Sequence, residues 1–468
     1  MSDERDAYRK VEIPEASRKA RGGTPFEPGR ERQAPAAVED ASTPETMMLL
    51  EEVLRDDNLK RAYQRVRSNK GAPGIDGMTV DELGPYLMEH GPRIKEAILA
   101  GTYAPQPVKR VDIPKAGGGG VRSLGVPVAL DRYIQQAILQ VLTPIFDPHF
   151  SESSHGFRPG RSTHDAVRCA RQYVEEGYRY VIDLDLEKFF NNVNQDMLMA
   201  RVASRVKDKR LLKLIRRFIT SGIMHGGLVE VHVKGTPQGS PLSPLLSNIL
   251  LDGLDKELER RGHRFCRYAD DCNIYVKSQK SADRVMESLT RFIETKLKLT
   301  VNRKKSAAAR PWARKFLGYS MTWHMRPRLK VAPESVRRFK DHIRELLRKG
   351  RGRSTNATMQ KLKPFLTGWM HYYKLAAVKG TFEFLDEWLR RKLRRMLWKQ
   401  WKKPRTRMKR LLQLGLDKER AHISAYNGRG PWWNAGASHM NHALPTTWFA
   451  QRGLVSLLDM HRSFNKLS

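Results

Sequence analysis

The stretch from Arg264 to Val276, Arg-Phe-Cys-Arg-Tyr-Ala-Asp-Asp-Cys-Asn-Ile-Tyr-Val, constrains the fold of this chain more than any other. Aromatic and β-branched residues on both sides of a turn-prone centre predict a β-hairpin with Asp270 and Asp271 at its tip. Two adjacent carboxylates repel each other, and a divalent cation shared with a third carboxylate stabilises such a pair. A solvated surface turn is the alternative, because aspartate is common in turns.

A second β-prone run, Val181-Ile-Asp-Leu-Asp-Leu-Glu-Lys-Phe-Phe190, offers that third carboxylate. Polymerising nucleotides requires an activated 3′-hydroxyl and a neutralised pyrophosphate, and two divalent ions about 3.5 to 4 Å apart supply both. We expect Asp185 and Asp270 to bridge two such ions, with Asp271 assisting. Asp183 is the alternative, because residues two apart share one face of a strand.

Asp185 is favoured over Asp183 because Phe190, five positions further on, could then lie under the incoming sugar. A bulky ring there would clash with a 2′-hydroxyl and select deoxynucleotides. In the alternative interpretation, Phe189 and Phe190 both belong to the hydrophobic core.

The charge balance predicts a polyanionic partner. The 468 residues include 86 Lys and Arg against 50 Asp and Glu, a formal net charge of +36,. No apolar run is long enough to span a bilayer and no lipidation signal is present, so nucleic acid is favoured over a membrane. Three cysteines and a start without an apolar stretch predict a reduced, cytoplasmic protein,.

Two basic or glycine-rich segments are candidate ligand sites. Residues 108–114 and 122–127 predict a hairpin whose tip carries four consecutive glycines, and Lys115 and Arg122 beside it could hold a triphosphate,. An ordinary solvated hairpin is the alternative. The loop 234–244, Lys-Gly-Thr-Pro-Gln-Gly-Ser-Pro-Leu-Ser-Pro, precedes a predicted helix, and its glycines allow close backbone approach to a ligand,.

The two ends of the chain differ from its centre. Residues 1–44 contain almost no large apolar residues, which predicts a flexible tail,. Beyond about residue 330 the pattern is helical and dense in Arg and Lys, which predicts a packed apolar stripe with a surface that follows phosphates. After Pro404 we expect a small, loop-rich unit.

With these motifs identified, the chain resembles the reverse transcriptases and maturases encoded by bacterial group II introns. Residues 268–271, Tyr-Ala-Asp-Asp, resemble the polymerase box of that family, and residues 185–190 resemble its first-aspartate box. Residues 235–244 are similar to its template and nucleotide loop. Blocks at 74–77, 155–160 and 368–373 are similar to segments particular to this branch, so the resemblance runs from about residue 45 to the end.

The resemblance implies a role for each candidate residue. The catalytic residues would be Asp185, Asp270, Asp271 and Lys305, with the lysine protonating pyrophosphate. The metal ligands would be Asp185, Leu186, Asp270 and Asp271. The nucleotide would be bound by Lys115, Arg122, Phe190 and Gln238, and the primer grip would be Phe316, Leu317, Gly318 and Tyr319.

Within the family, the chain is most similar to the compact class C type, which lacks an endonuclease domain. No cysteine follows Cys272, so a cysteine-ligated zinc module is not expected in the later part of the sequence,. The chain departs from the usual family pattern at Asn191, Gln195 and Ser240, where Asp, His and Gly are frequent. None of these three is a proposed metal ligand.

The fold expected from the resemblance is α+β, a right-hand polymerase with an antiparallel-sheet palm and a helical thumb. The predicted division is a flexible tail at 1–44, an N-terminal extension with fingers at 45–180, a palm at 181–325, a thumb or maturase domain at 326–403, and a DNA-binding region at 404–468.

The implied function is RNA-directed DNA polymerisation that copies group II intron RNA into DNA, combined with maturase assistance to splicing and mobility. The implied cofactor is Mg²⁺, as two ions with Mn²⁺ as a substitute. The implied partners are intron RNA, an RNA template with a DNA primer, target DNA and deoxynucleotides, and the protein would associate with the nucleoid when on DNA. Two alternatives remain: an RNA-binding splicing cofactor with a decayed polymerase, and a domesticated reverse transcriptase in defence or repair.

Overall fold

The computed structural model describes residues 47–114, 120–225, 228–230, 235–236, 238–349 and 352–466. The predicted tail at 1–44 lies outside the described residues. The first elements of the described chain are mainly helical, and in order they are α1 (Leu49–Val53), α2 (Asp56–Ser68), α3 (Leu83–Leu99), β1 (Val108–Pro114), β2 (Val121–Val126), α4 (Ala129–Phe146) and α5 (Thr163–Glu175).

The middle of the chain alternates strands with helices. Its elements are β3 (Tyr180–Leu184), α6 (Phe189–Asn192), α7 (Gln195–Ala203), α8 (Lys209–Thr220), β4 (Ile223–His225), β5 (Leu228–Glu230), α9 (Ser243–Arg260), β6 (Arg264–Tyr268), β7 (Asp271–Val276), α10 (Gln279–Lys296), β8 (Ala307–Ala309), β9 (Tyr319–Met321) and β10 (Leu329–Val331). Single 3₁₀ turns lie at Asp147–His149 and Pro311–Ala313.

The predicted basic hairpin is formed by β1 and β2, which pair antiparallel from Lys109 with Val126 to Pro114 with Val121. β1 also pairs in parallel with β4, which gives a four-stranded sheet in the order β2-β1-β4-β5. The first strand pair therefore belongs to a larger sheet that includes residues more than a hundred positions later in the chain.

A second sheet, in the order β6-β7-β3-β8, is antiparallel throughout, and we call it the central sheet. One face packs on a first core that includes Ile182 and Ile274, while the other face packs on a second core that includes Val181 and Tyr275. Because successive strand residues point to opposite faces, the continuous apolar runs around the acidic pair supply both cores at once.

The C-terminal part is helical, as the sequence predicts: α11 (Pro333–Lys349), α12 (Thr355–Tyr372), α13 (Gly380–Gln400), α14 (Pro404–Gln413), α15 (Lys418–Tyr426), α16 (Pro431–Gly436), α17 (Ser438–Ala443), α18 (Thr446–Gln451) and α19 (Leu457–Lys466). Apolar side chains of these helices complete the second core, in which Trp398 is almost fully buried.

The prediction of a loop-rich unit after Pro404 is wrong, because six helices occupy this region. The prolines that suggest loops stand at helix starts instead: Pro404 and Pro431 are the first residues of α14 and α16, and Pro445 immediately precedes α18. Proline is favoured there because its missing N–H has no intrahelical acceptor at the first turn. Among the described residues, no helix combines the length and apolar character needed to cross a lipid bilayer.

Candidate active site

The acidic pair lies at a tight turn between β6 and β7. Tyr268 pairs with Asp271, so Ala269 and Asp270 form a two-residue turn, and Ala269 has a positive φ of 58°. A loop supports the turn from behind, because a Cβ added to Gly156 would lie 2.2 Å from the backbone nitrogen of Ala269. Only glycine fits that position, so the turn and the loop beneath it are tightly packed.

Asp185 lies just beyond the end of β3, next to the strand that begins with Asp271. β3 and β7 are antiparallel, with Leu184 opposite Cys272, so the end of one lies beside the start of the other. The Asp185 N–H donates to the Ser306 hydroxyl at 3.0 Å, and its carbonyl accepts from the N–H of Asn302 at 2.8 Å. The structure therefore brings the three predicted carboxylates to one edge of the central sheet.

The backbone of Leu186 also faces this edge. Leu186 forms a bridge with Val301, but the two hydrogen bonds of that bridge use the carbonyl of Asp185 and the N–H of Glu187. In such a non-hydrogen-bonded pair, the peptide groups of the paired residue point away from the partner strand. The Leu186 carbonyl therefore points away from Val301, toward the side on which β7 lies.

The alternative acid, Asp183, has its own counter-ion. Both Nε and Nη2 of Arg314 contact its Oδ2, at 3.0 and 2.6 Å. Burial raises the pKa of Asp183, and Arg314 opposes that shift. The charge of Asp183 is therefore balanced by Arg314. Among the described contacts, Arg314 does not reach Asp185.

The carboxylates at the sheet edge repel one another. Burial among protein atoms disfavours the charged form of Asp271 and raises its pKa to about 6. The charges of Asp270, Asp183 and Asp185 add to this shift. Its side chain nevertheless keeps exposed surface at the rim of the site. A bound cation would relieve the repulsion within such a cluster of acids.

The donor set fits divalent ions that prefer oxygen. Carboxylates of Asp185, Asp270 and Asp271, with the carbonyl of Leu186, are the hard ligands that Mg²⁺ takes.

Lys305 lies at the edge of the same site. Its Nζ is 3.8 Å from Oδ2 of Asp185, and its side chain is largely exposed. The long side chain remains free to reach a ligand, because one weak contact to a carboxylate does not fix it.

Phe189 and Phe190 occupy different environments. Phe189 is buried in the first core, while Phe190 packs edge-to-face against it and keeps exposed surface. The Phe190 carbonyl accepts a 2.7 Å hydrogen bond from the N–H of Thr236, which ties it to the glycine-rich loop. Phe189 is therefore a core residue, whereas Phe190 is partly buried against the same core and keeps exposed surface.

Gln238 links the glycine-rich loop to the basic hairpin. Its carbonyl accepts a 2.8 Å hydrogen bond from the N–H of Gly125 on β2. Arg122 belongs to β2 and pairs with Ile113. Lys115 lies outside the described residues. The other three predicted nucleotide-binding residues, Arg122, Phe190 and Gln238, lie on segments that backbone hydrogen bonds connect.

The predicted primer grip is a second tight turn. Phe316 and Tyr319 exchange backbone hydrogen bonds at 2.9 and 3.0 Å, and Leu317 and Gly318 both have positive φ, as in a type I′ turn,. The Tyr372 hydroxyl of α12 donates to the Leu317 carbonyl at 2.8 Å. The turn is therefore held against the C-terminal helices.

Sequence reasoning missed two supporting residues. Gln195 is buried, and its Nε2 donates to the Gly235 carbonyl at 2.8 Å, so this departure from the family pattern positions the glycine-rich loop. Arg267 is fully buried beneath the acidic turn and donates to the Ala269 carbonyl at 2.9 Å. An arginine between Phe, Cys and Tyr in a strand was the available signal, because an arginine is rarely buried without partners.

Comparison with known families assigns two parts of the chain. Residues 113–321 match the family described as reverse transcriptase (RNA-dependent DNA polymerase), and residues 336–415 match the maturase-specific domain of group II introns. The chain belongs to the group II intron-encoded reverse transcriptases. The predicted resemblance and the α+β polymerase fold are therefore confirmed, and this reverse transcriptase carries a maturase domain and belongs to a family that uses divalent metal ions and nucleic acid substrates.

Individual relatives agree with this assignment. Protein YkfC of Escherichia coli K12 is 33% identical over 298 residues, which cover 55% of this reverse transcriptase and 78% of YkfC. The group II intron-encoded protein LtrA of Lactococcus lactis is 30% identical over 336 residues, which cover 58% of this chain but only 55% of LtrA. A solved partial Cas6-RT-Cas1–Cas2 complex shares 25% identity with a TM-score of 0.35, covering 53% of this chain and 42% of that one.

Proposed function

We propose that this reverse transcriptase copies its parent group II intron RNA into DNA at the edge formed by Asp185, Asp270 and Asp271. The proposal is supported above all by the antiparallel pairing of β3 with β7, which brings acids 85 positions apart in the sequence to one edge. Phe190 and Gln238 lie on segments bound to this region, so a nucleotide could be held where the carboxylates face it.

Two Mg²⁺ ions, held by the three carboxylates and the Leu186 carbonyl, would favour ionisation of the primer 3′-hydroxyl and neutralise the leaving pyrophosphate. The residues of the chain do the rest. Phe190 excludes a 2′-hydroxyl by its bulk, and Lys305 gives a proton to the departing pyrophosphate. The primer grip at 316–319 holds the primer end, because its turn is fixed by Tyr372 of the helical part.

The domain names follow from this assignment. The β2-β1-β4-β5 sheet with its flanking helices would form the fingers, the central sheet the palm, and α11 to α13 the thumb. The predicted boundaries of 45–180, 181–325 and 326–403 then need one adjustment, because β4 and β5 join the fingers sheet from within the range predicted for the palm.

The maturase part would bind intron RNA by shape and phosphate rather than make or break bonds. The side chains of α11 and α13 support this proposal. Trp388 is surrounded by Lys340, Arg344 and Lys392, each within 6 Å of its ring. Cations fixed over an aromatic ring form a surface suited to phosphates and bases.

The final helices would contact target DNA in the same manner. Trp432 and Trp433 keep about two fifths of their surface exposed, at 38% and 44%. Arg391 lies 4.2 Å from the Trp432 ring, and Arg429 lies 4.2 Å from the Trp433 ring. Exposed indole rings with adjacent arginines are suited to stacking and phosphate contact, which supports the assignment of 404–468 to DNA binding.

Primer extension tests the polymerase proposal. A DNA primer on an RNA template, with Mg²⁺ and either deoxynucleotides or ribonucleotides, should give product only from deoxynucleotides, and the Asp270→Ala protein should give none. Absence of wild-type product together with tight binding of structured RNA would support the splicing-cofactor alternative instead. Genomic flanks that lack intron RNA domains would support the domesticated alternative.

A further inference from the structure

A cluster of three potential metal ligands lies behind the catalytic turn. The ligand atoms of His155, Cys169 and Cys266 all lie within 4.8 Å of one another. They come from three separate segments: His155 from the loop before α5, Cys169 from α5, and Cys266 from β6. Their convergence is therefore a product of tertiary structure rather than of spacing in the sequence.

The histidine of this cluster has few polar neighbours. His155 is only 5% exposed, and among the described residues no nitrogen or oxygen atom hydrogen-bonds its ring, so the Cys169 thiol is the polar group that interacts with it. Buried polar atoms are nearly always paired, so an exception suggests an ion or another ligand. The thiols of Cys169 and Cys266 converge on this imidazole, and neither cysteine is in a disulfide. The two thiols also interact with each other, and Cys169 interacts with the Tyr173 hydroxyl.

We propose that His155, Cys169 and Cys266 bind one Zn²⁺ ion. Two thiolates and one imidazole are soft and intermediate donors that select Zn²⁺ over Mg²⁺. Binding would form two Zn–S bonds and one Zn–N bond, and the two thiol protons would pass to solvent. Cys169 retains partial exposure, which leaves a route for the ion and a fourth position for water.

The dimensions of the cluster suit this ion. Bonds of about 2.3 Å to sulfur and about 2.0 Å to nitrogen, in tetrahedral arrangement, separate the ligand atoms by roughly 3.5 to 3.8 Å. A spread within 4.8 Å needs only small side-chain rotations to reach that geometry.

The bound ion would brace the catalytic turn without joining the chemistry. Cys266 stands two residues before Tyr268, and the backbone N–H of His155 donates to the Arg267 carbonyl at 2.8 Å. Gly156 then packs under Ala269. Zn²⁺ would thus join α5, the supporting loop and β6 on the side of the central sheet that packs on the second core, where Cys266 lies.

Cys272 provides a matched control. It is also a buried free cysteine in the same hairpin, but it packs in the first core on the opposite face of the central sheet. Its thiol is outside the cluster, so substitution of Cys272 should not affect metal binding.

The experiment is a titration of the reduced full-length protein with Co²⁺, a coloured substitute for Zn²⁺, in excess Mg²⁺ to occupy the carboxylates. We expect one equivalent to give thiolate-to-cobalt charge-transfer absorption, which oxygen ligands cannot produce, and Zn²⁺ to displace it. Cys169→Ser, Cys266→Ser and His155→Ala should each weaken binding by at least about 100-fold. Cys272→Ser should bind like the wild type.

Wild-type protein without charge-transfer absorption would overturn the proposal, and this result does not depend on whether any variant folds. Equal binding by Cys169→Ser, the variant at the least buried position, would also overturn it. So would a disulfide between Cys169 and Cys266 that forms in air and persists when Zn²⁺ is present, because the cluster would then be a redox pair.

Discussion

Two carboxylates close to the same hairpin, Asp255 and Asp271, lie in opposite electrostatic environments. Asp255 is fully buried, and both its oxygens accept from Arg267, at 2.7 and 2.5 Å. The same arginine also donates to Asn248, Ser154 and the Ala269 carbonyl, so all its N–H directions are used. For Asp271, burial raises the pKa to about 6, and the like charges of Asp270, Asp183 and Asp185 add to this shift.

This difference shows how the hairpin supports a reactive edge. The charges beneath the turn neutralise one another, as buried charges must. The charges on its outer side are compensated only in part, since Arg314 pairs with Asp183 and Lys305 approaches Asp185 at 3.8 Å. Arg267 connects the two regions through the Ala269 carbonyl, so a rigid interior holds an edge of like charges in place.

The largest effect that would test this division is on activity. Asp185→Asn or Asp270→Asn should lower the rate of primer extension at least about 10³-fold, because several kcal/mol of charge stabilisation by metal ions would be lost. The midpoint temperature of thermal unfolding should stay the same or rise, since the substitution removes one of several carboxylates that repel one another. A variant that retains extension within tenfold of wild type would show that these acids are not the metal ligands.

The next effect concerns stability beneath the turn. Arg267→Met should destabilise the protein by about 3 to 5 kcal/mol, because Asp255 would remain buried without a partner. The urea midpoint of the transition reported by tryptophan fluorescence would measure the loss. The double variant Arg267→Met with Asp255→Leu should recover most of it, and a single variant as stable as wild type would contradict the role of the buried pair.

Local sequence patterns predict the hairpin and the helices well, because alternating or periodic apolar residues determine them. They could not predict β8, since three consecutive alanines are poor strand formers, and this strand exists because the edge of β3 offers it hydrogen bonds,. The candidate carboxylates were visible in the sequence. The support of Asp185 by Ser306 and of the glycine-rich loop by Gln195 was not visible, because each acts through a contact about 40 or more positions away.

A smaller effect should separate the two phenylalanines that begin α6, the short helix after β3. Phe190→Ala should lower the preference for deoxynucleotides over ribonucleotides by about 10- to 100-fold, because a pocket that merely excludes one hydroxyl contributes that much selectivity. Single-nucleotide incorporation on an RNA template measures this ratio.

Phe189→Ala is the matched control for that measurement. Phe189 is buried, so its truncation should destabilise the protein by about 3 to 5 kcal/mol and leave the ratio unchanged,. If the ratio falls for Phe189→Ala and not for Phe190→Ala, the assignment of the two rings is reversed.

The smallest effect should come from the acid that has a counter-ion. Asp183→Asn should change primer extension by at most about fivefold, because a partly exposed ion pair contributes only about 1 kcal/mol. Arg314 keeps an acceptor after the change, since its Nη2 also donates to the Lys305 carbonyl at 2.8 Å. Measured beside Asp185→Asn, this variant distinguishes the roles of two acids that lie two residues apart. If both variants lost primer extension equally, Asp183 would take part in metal binding, and Arg314 would release its carboxylate when the ions bind.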